Sequence, residues 1–147
     1  MTSYWKPRWP NLVFFGSYRE LQYRIDIRGG EESLFRLISN SGPGFTLTLL
    51  RAPESPGFVP QGATPPEADV LWLNNEPCRR AIASLMEIHF SRLIAAGNSI
   101  QCFCDPARDD ILPEGRQLTW CMEQVHLLWS AVPAEARRSL PKSDFMA

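Results

Sequence analysis

Leu21-Gln22-Tyr23-Arg24-Ile25-Asp26-Ile27-Arg28, closed by Gly29-Gly30, is the stretch that decides the fold. Leu21, Tyr23, Ile25 and Ile27 alternate with Gln22, Arg24, Asp26 and Arg28. Successive side chains of a strand point to opposite faces, so this period of two gives one apolar face and one charged face. The glycine pair that follows turns freely.

Upstream, Leu12-Val13-Phe14-Phe15 reads as a short buried strand ending at Gly16. Downstream, residues 33–39 fit either a helical face through Leu34, Leu37 and Ile38 or a strand through Phe35 and Leu37. A hairpin folded back across Gly29-Gly30 is the simpler solution, and favours the strand. Ser41-Gly42-Pro43-Gly44 marks a turn, and Phe45 to Leu50 alternates again as a strand. From Pro53 to Pro66 the chain carries five prolines and two glycines around Phe58 and Val59. Proline cannot donate to a helix or a ladder, so residues 53–68 are expected to form a long loop. A loop of that length within a compact domain is either functional or disordered. Val70-Leu71-Trp72-Leu73 then predicts a short strand.

Helical signals follow. Asn74 and Asn75 suit an N-cap and Pro77 the first turn. Ile82, Leu85, Met86, His89, Leu93 and Ala96 share one face, with Gly97 placed to end the helix. Ile100 to Cys104 reads as a strand stopped by Asp105-Pro106. A second helix sets Leu118, Cys121, Met122, Val125, Leu128 and Trp129 on one stripe, and Pro133 closes it before a last short helix over 134–140. Strands in one run and helices in another indicate an α+β fold: a mainly antiparallel sheet from the N-terminal half, packed against two amphipathic helices from the C-terminal half. With 147 residues the chain is the size of one domain, 1–147, preceded by an extended arm over 1–10.

Composition narrows function by exclusion. The net charge is −1, which gives no long-range field to gather phosphates. Residues 1–52 hold seven Lys/Arg against four Asp/Glu, and the remainder eight against twelve. No uncharged apolar run reaches the length of a membrane span, and Met1 to Pro7 lacks the apolar run of an export signal. Four cysteines in a chain this long read as intracellular thiols, which predicts a cytoplasmic protein.

The residues that could carry chemistry are sparse. Cys102 and Cys104 share a strand face, but no second close pair completes a zinc site, so they are expected to fill the core. His89 falls on an apolar helical stripe. Asp105, Asp109 and Asp110, with Glu114, match no regular calcium-loop spacing. Phosphate loops, the nucleophile elbow and the helical zinc motif are absent. No catalytic residue, metal or cofactor is therefore assigned.

What remains points to contact. Trp5, Arg8 and Trp9 of the arm set rings beside cations; Arg24 and Arg28 share the polar face of the alternating strand; Phe58 and Val59 centre the proline-rich loop. Aromatic residues and arginine are the usual anchors of protein interfaces. The leading expectation is a regulatory protein that acts by binding another protein, in the manner of an inhibitor, immunity protein, chaperone or mobile-element accessory factor. An exposed edge beside the 18–28 run would also allow a homodimer. Two alternatives stand beside it: a small enzyme using His89 or His126 with a cysteine or aspartate, and a nucleic-acid accessory protein using the basic N-terminal half. The acidic isoelectric point, about 6.1, disfavours the latter.

Overall fold

The computed structural model describes residues 12–28, 34–52, 57–104 and 113–147. Seven strands form one antiparallel sheet. In chain order they are β1 (Leu12–Tyr18), β2 (Leu21–Arg28), β3 (Leu34–Ser39), β5 (Thr46–Arg51), β6 (Phe58–Pro60), β7 (Arg92–Ala96) and β8 (Ile100–Cys104). Their spatial order is β1-β2-β3-β8-β7-β5-β6. A second, two-stranded sheet joins β4 (Ser41–Gly42) to β9 (Arg138–Ser139). The helices are the single turn α1 (Pro66–Ala68), α2 (Glu76–Ile88), α3 (Arg116–Ser130) and the short α4 (Lys142–Met146). The α+β architecture is thus as the sequence indicates, with β7 and β8 inserted into the middle of the sheet from beyond α2.

The alternation of β2 sets the layering. Leu21, Tyr23 and Ile25 are buried beneath the helices, beside Phe35 and Leu37 of β3 and Cys102 and Cys104 of β8. Two buried polar groups tie sheet and connecting segments to α3. Tyr23 Oη donates to Met122 O at 2.9 Å, and Trp72 Nε1 to Leu128 O at 2.9 Å. Trp72 also meets Phe45 edge-to-face, with ring centroids 4.9 Å apart. Each ring so satisfies its one polar atom while burying its apolar body.

Local chemistry fixes the helix ends. Asn75 caps α2, its side chain accepting from Cys78 N, and Pro77 sits in the first turn. At the other end Arg51 reaches from β5 to donate to Met86 O, in the last turn of the helix, and to Phe90 O just beyond it.

Four expectations need correction. The first helix stops at Ile88, and residues 92–96 are a strand, not its last turns. Leu93 and Ala95 alternate inward, and Gly97, at φ +84°, makes the β7–β8 turn where a helix end is expected. Leu85, His89 and Leu93 satisfy the helical period, yet Leu93 opposite Cys102 satisfies the strand period as well; sheet closure decides. Residues 69–73 form a wide helical turn, closed by Asn74 N to Asp69 O at 2.7 Å, where a strand is expected, and it lowers Trp72 into the core. The proline-rich loop contains edge strand β6, whose Pro60 ends it. The expected helix over 134–140 is one tight turn, Ala134–Ala136, followed by β9, with α4 beyond.

Candidate protein-contact edge

The strand read as buried is the most exposed in the sheet. β1 lies at one end of the order, with β2 on one side and no strand on the other among the described residues. An edge strand presents alternate main-chain N–H and C=O groups outward, ready to pair. Its side chains are open as well: Leu12, Val13, Phe14 and Phe15 are 41%, 40%, 49% and 49% exposed. A run of four apolar residues signals burial on both faces in a central strand; at an edge the same run leaves both faces open.

Register and packing explain why they stay open. Leu12, Phe14 and Gly16 oppose Ile27, Ile25 and Tyr23, so they belong to the helix-covered face. Helix α3, however, lies over the far end of β1. A Cβ on Gly16 would sit 3.4 Å from Met122 Cε, Tyr18 Oη donates to Glu123 at 3.4 Å, and Tyr18 stacks edge-on against His126. Leu12 and Phe14 lie beyond that cover. On the other face Phe15 meets Phe145 of α4 edge-to-face at 5.7 Å and still remains half exposed. The opposite edge of the sheet differs. β6 is three residues long, ends in proline and carries Val59, 46% exposed. Short length and proline are the usual means of blunting an edge, and β1 has neither.

The face away from α2 and α3 mixes charged and apolar side chains that engage one another. Val13, Asp26, Arg36, Phe103, Arg92, Leu50 and Val59 fall in one row across all seven strands. Asp26 receives Arg24 Nε at 2.7 Å and Arg36 NH2 at 2.6 Å. Burial alone would raise its carboxyl, but the hydrogen bonds and charges of Arg36 and Arg24 outweigh that and hold it below the ordinary carboxylate range. Arg36 and Arg92 stack on Phe103, with guanidinium carbons 5.9 and 4.2 Å from the ring centre. Arg24 also donates to Phe145 O and Ala147 O, which fastens α4 over this face.

The expected contact residues divide accordingly. Trp5, Arg8 and Trp9 lie outside the described residues, as do Gly29-Gly30 and the acidic positions Asp105, Asp109 and Asp110. Arg24, Arg28 and Val59 share the open face, with Arg24 committed to Asp26 and α4 and Arg28 exposed. Phe58 is half buried and packs on the core under α2. Leu12 to Phe15, which the sequence places in the core, are exposed instead.

Of the side chains in the enzyme alternative, Cys121 of α3 lies near enough to Cys102 and Cys104 of β8 for their charges to interact, and all three sit in the core. All four cysteines are buried, and burial pushes Cys78 up to about 11 and Cys121 up to about 12, with Cys102 raised further. A nucleophilic cysteine must be a thiolate, and these environments oppose it. His126 pairs with Glu20 at the β1–β2 turn, between the rings of Tyr18 and Trp129. His89 caps the end of α2 beside Phe90 and Trp120. Among the described residues no three His, Cys, Asp or Glu gather as a ligand set, and no helix is long and apolar enough to cross a membrane.

Compared with family models, curated proteins and solved structures, the chain matches none of them.

Proposed function

We propose that this chain is a protein-binding module that acts by contact through the outer edge of β1. One observation carries the reading: four consecutive large apolar residues, each 40–49% exposed, on an edge strand with no neighbour among the described residues. With a fully exposed ring presenting roughly 200 Å², the two phenylalanines leave about 100 Å² each in water. The four together expose about 300 Å², divided between the two faces that meet at the strand's outer edge. Covering it contributes about 7 kcal/mol before the costs of association. Unpaired main-chain groups add direction, since an extended partner segment would continue the ladder as in strand addition.

Phosphate recognition draws less support from this fold. Its richest cationic face spends Arg24 and Arg36 on Asp26, and Arg36 and Arg92 on Phe103. Thiol chemistry draws less support still, with each cysteine buried.

A photoreactive phenylalanine analogue at position 14 tests the reading in cells that make the protein. It should give a discrete protein adduct that the same analogue at exposed Gln117, on α3, does not. Equal labelling at both positions would remove β1 as the contact surface.

A further inference from the structure

We infer that the occupant of the β1 edge is a second copy of this chain, with β1 pairing antiparallel to β1 across a two-fold axis; this rests on the contact reading above and names its partner. Three features of the strand support it. First, Leu12-Val13-Phe14-Phe15-Gly16-Ser17-Tyr18 contains no charge, so bringing it against itself meets no like-charge repulsion along the strand. A lysine, a proline or a bulge is a usual device against self-pairing at an edge, and this strand carries none among its seven residues.

Second, the geometry permits a self-complementary register. A two-fold axis that pairs two edge strands antiparallel stands perpendicular to the sheet and keeps each face on its own side. Directly opposed residues must then share a face, so only registers that pair odd with odd and even with even are open. Centring the axis on Phe14 places Phe14 opposite its own copy, Val13 opposite Phe15, and Leu12 opposite Gly16. Phe14, Val13 and Phe15 then each gain a cross-strand side chain, while Leu12 comes beside Gly16, over which Met122 lies. The helical layers of the two copies lie on the same side, as the partial cover of β1 requires: α3 reaches Tyr18 and leaves the Leu12–Phe14 end uncovered.

Third, the area is that of a weak, reversible contact. Two copies of the patch contribute about 600 Å² of apolar surface, and the paired backbones add to it. That falls short of the roughly 1,200 Å² of a standard stable interface and places the contact among weak, transient ones.

Sedimentation of the purified full chain from about 1 to about 300 µM tests this. The mass should rise with concentration from 16.7 kDa towards twice that value. Phe14→Glu should raise the dissociation constant at least about tenfold, and Val13→Lys should act alike from the other face. Both sites are 40–49% exposed, so both variants should keep the thermal transition of the parent, which separates lost pairing from lost folding. A chain that stays monomeric throughout overturns the self-pairing, as does a dimer that both substitutions leave intact. In either case adducts at position 14 with a different protein would preserve the contact reading, and their absence would remove both.

Discussion

Replacing Asp26 with Asn should cost about 3 kcal/mol of folding stability, and the loss should depend on pH in one direction only. The carboxylate is 11% exposed and bridges two guanidiniums, those of Arg24 at 13% and Arg36 at 29% exposure. A hydrogen bond to a charged group contributes about 1.5–3 kcal/mol, and the amide keeps one acceptor but turns an NH2 group towards the other arginine. One charge-assisted bond is lost outright and the other becomes neutral, while two half-buried cations remain without a counter-charge. The carboxyl is held below its ordinary value in the fold, so as the pH falls the unfolded chain takes up the proton first. The carboxylate's contribution is full above the unfolded value of about 4 and disappears as the pH drops through the lower folded value. Urea denaturation followed by tryptophan fluorescence at pH 7, 5, 4 and 3 measures both quantities. Parent and D26N should differ most at pH 7 and 5, and the gap should narrow at pH 4 and further at pH 3. Pairing D26N with R36Q should recover about 1–2 kcal/mol as coupling, because the second change removes the stranded cation. A D26N loss under 0.5 kcal/mol, or a gap that widens in acid, would refute the reasoning.

Four further outcomes follow from the packing. Gly42→Ala should destabilise by about 3 kcal/mol or prevent folding, because its Cβ would meet Ser99 N and stand 2.7 Å from Gly97 O, both backbone; Gly97→Ala, with open space but φ +84°, should cost about 1 kcal/mol in the same urea assay. Trp72→Phe should cost about 1–2 kcal/mol by leaving Leu128 O without its indole donor, measured from the thermal midpoint. A thiol-specific disulfide reagent at pH 8 should find no fast-reacting cysteine in the native chain and four in urea, and a single rapid native thiol would contradict the buried, protonated assignment.

How much of this was legible in sequence follows from which forces are local. The alternation of Leu21 to Ile27 set a strand with one buried face because side-chain period and burial are the same fact there. Asn75 and Pro77 marked the start of α2 because capping is a matter of neighbouring atoms. The end of α2 was not legible. Leu93 satisfies a helical stripe and a strand face equally, and the choice belongs to β8, which supplies Cys102 opposite it. β1 was misjudged for a related reason. Apolar content predicts that a strand forms, whereas burial depends on its place in the sheet order, a property of seven strands together. The open-face row through Asp26, Arg36, Phe103 and Arg92 draws on three separate parts of the chain, and no local spacing announces it. Arg24 and Arg28 were visible as a charged face, but the partners that commit Arg24 lie next to it in Asp26 and more than a hundred residues away in Phe145.

Amide hydrogen exchange of residues 12–18 tests the contact edge most directly. In dilute protein the outward-facing amides of β1 should exchange quickly, while those of β2, paired on both sides, stay protected. At high concentration, or with a captured partner bound, protection should rise within 12–18 and stay unchanged across β5, β7 and β8. Protection that rises on the Arg92–Phe103 face while β1 continues to exchange freely would contradict the account and move the contact to the open face of the sheet.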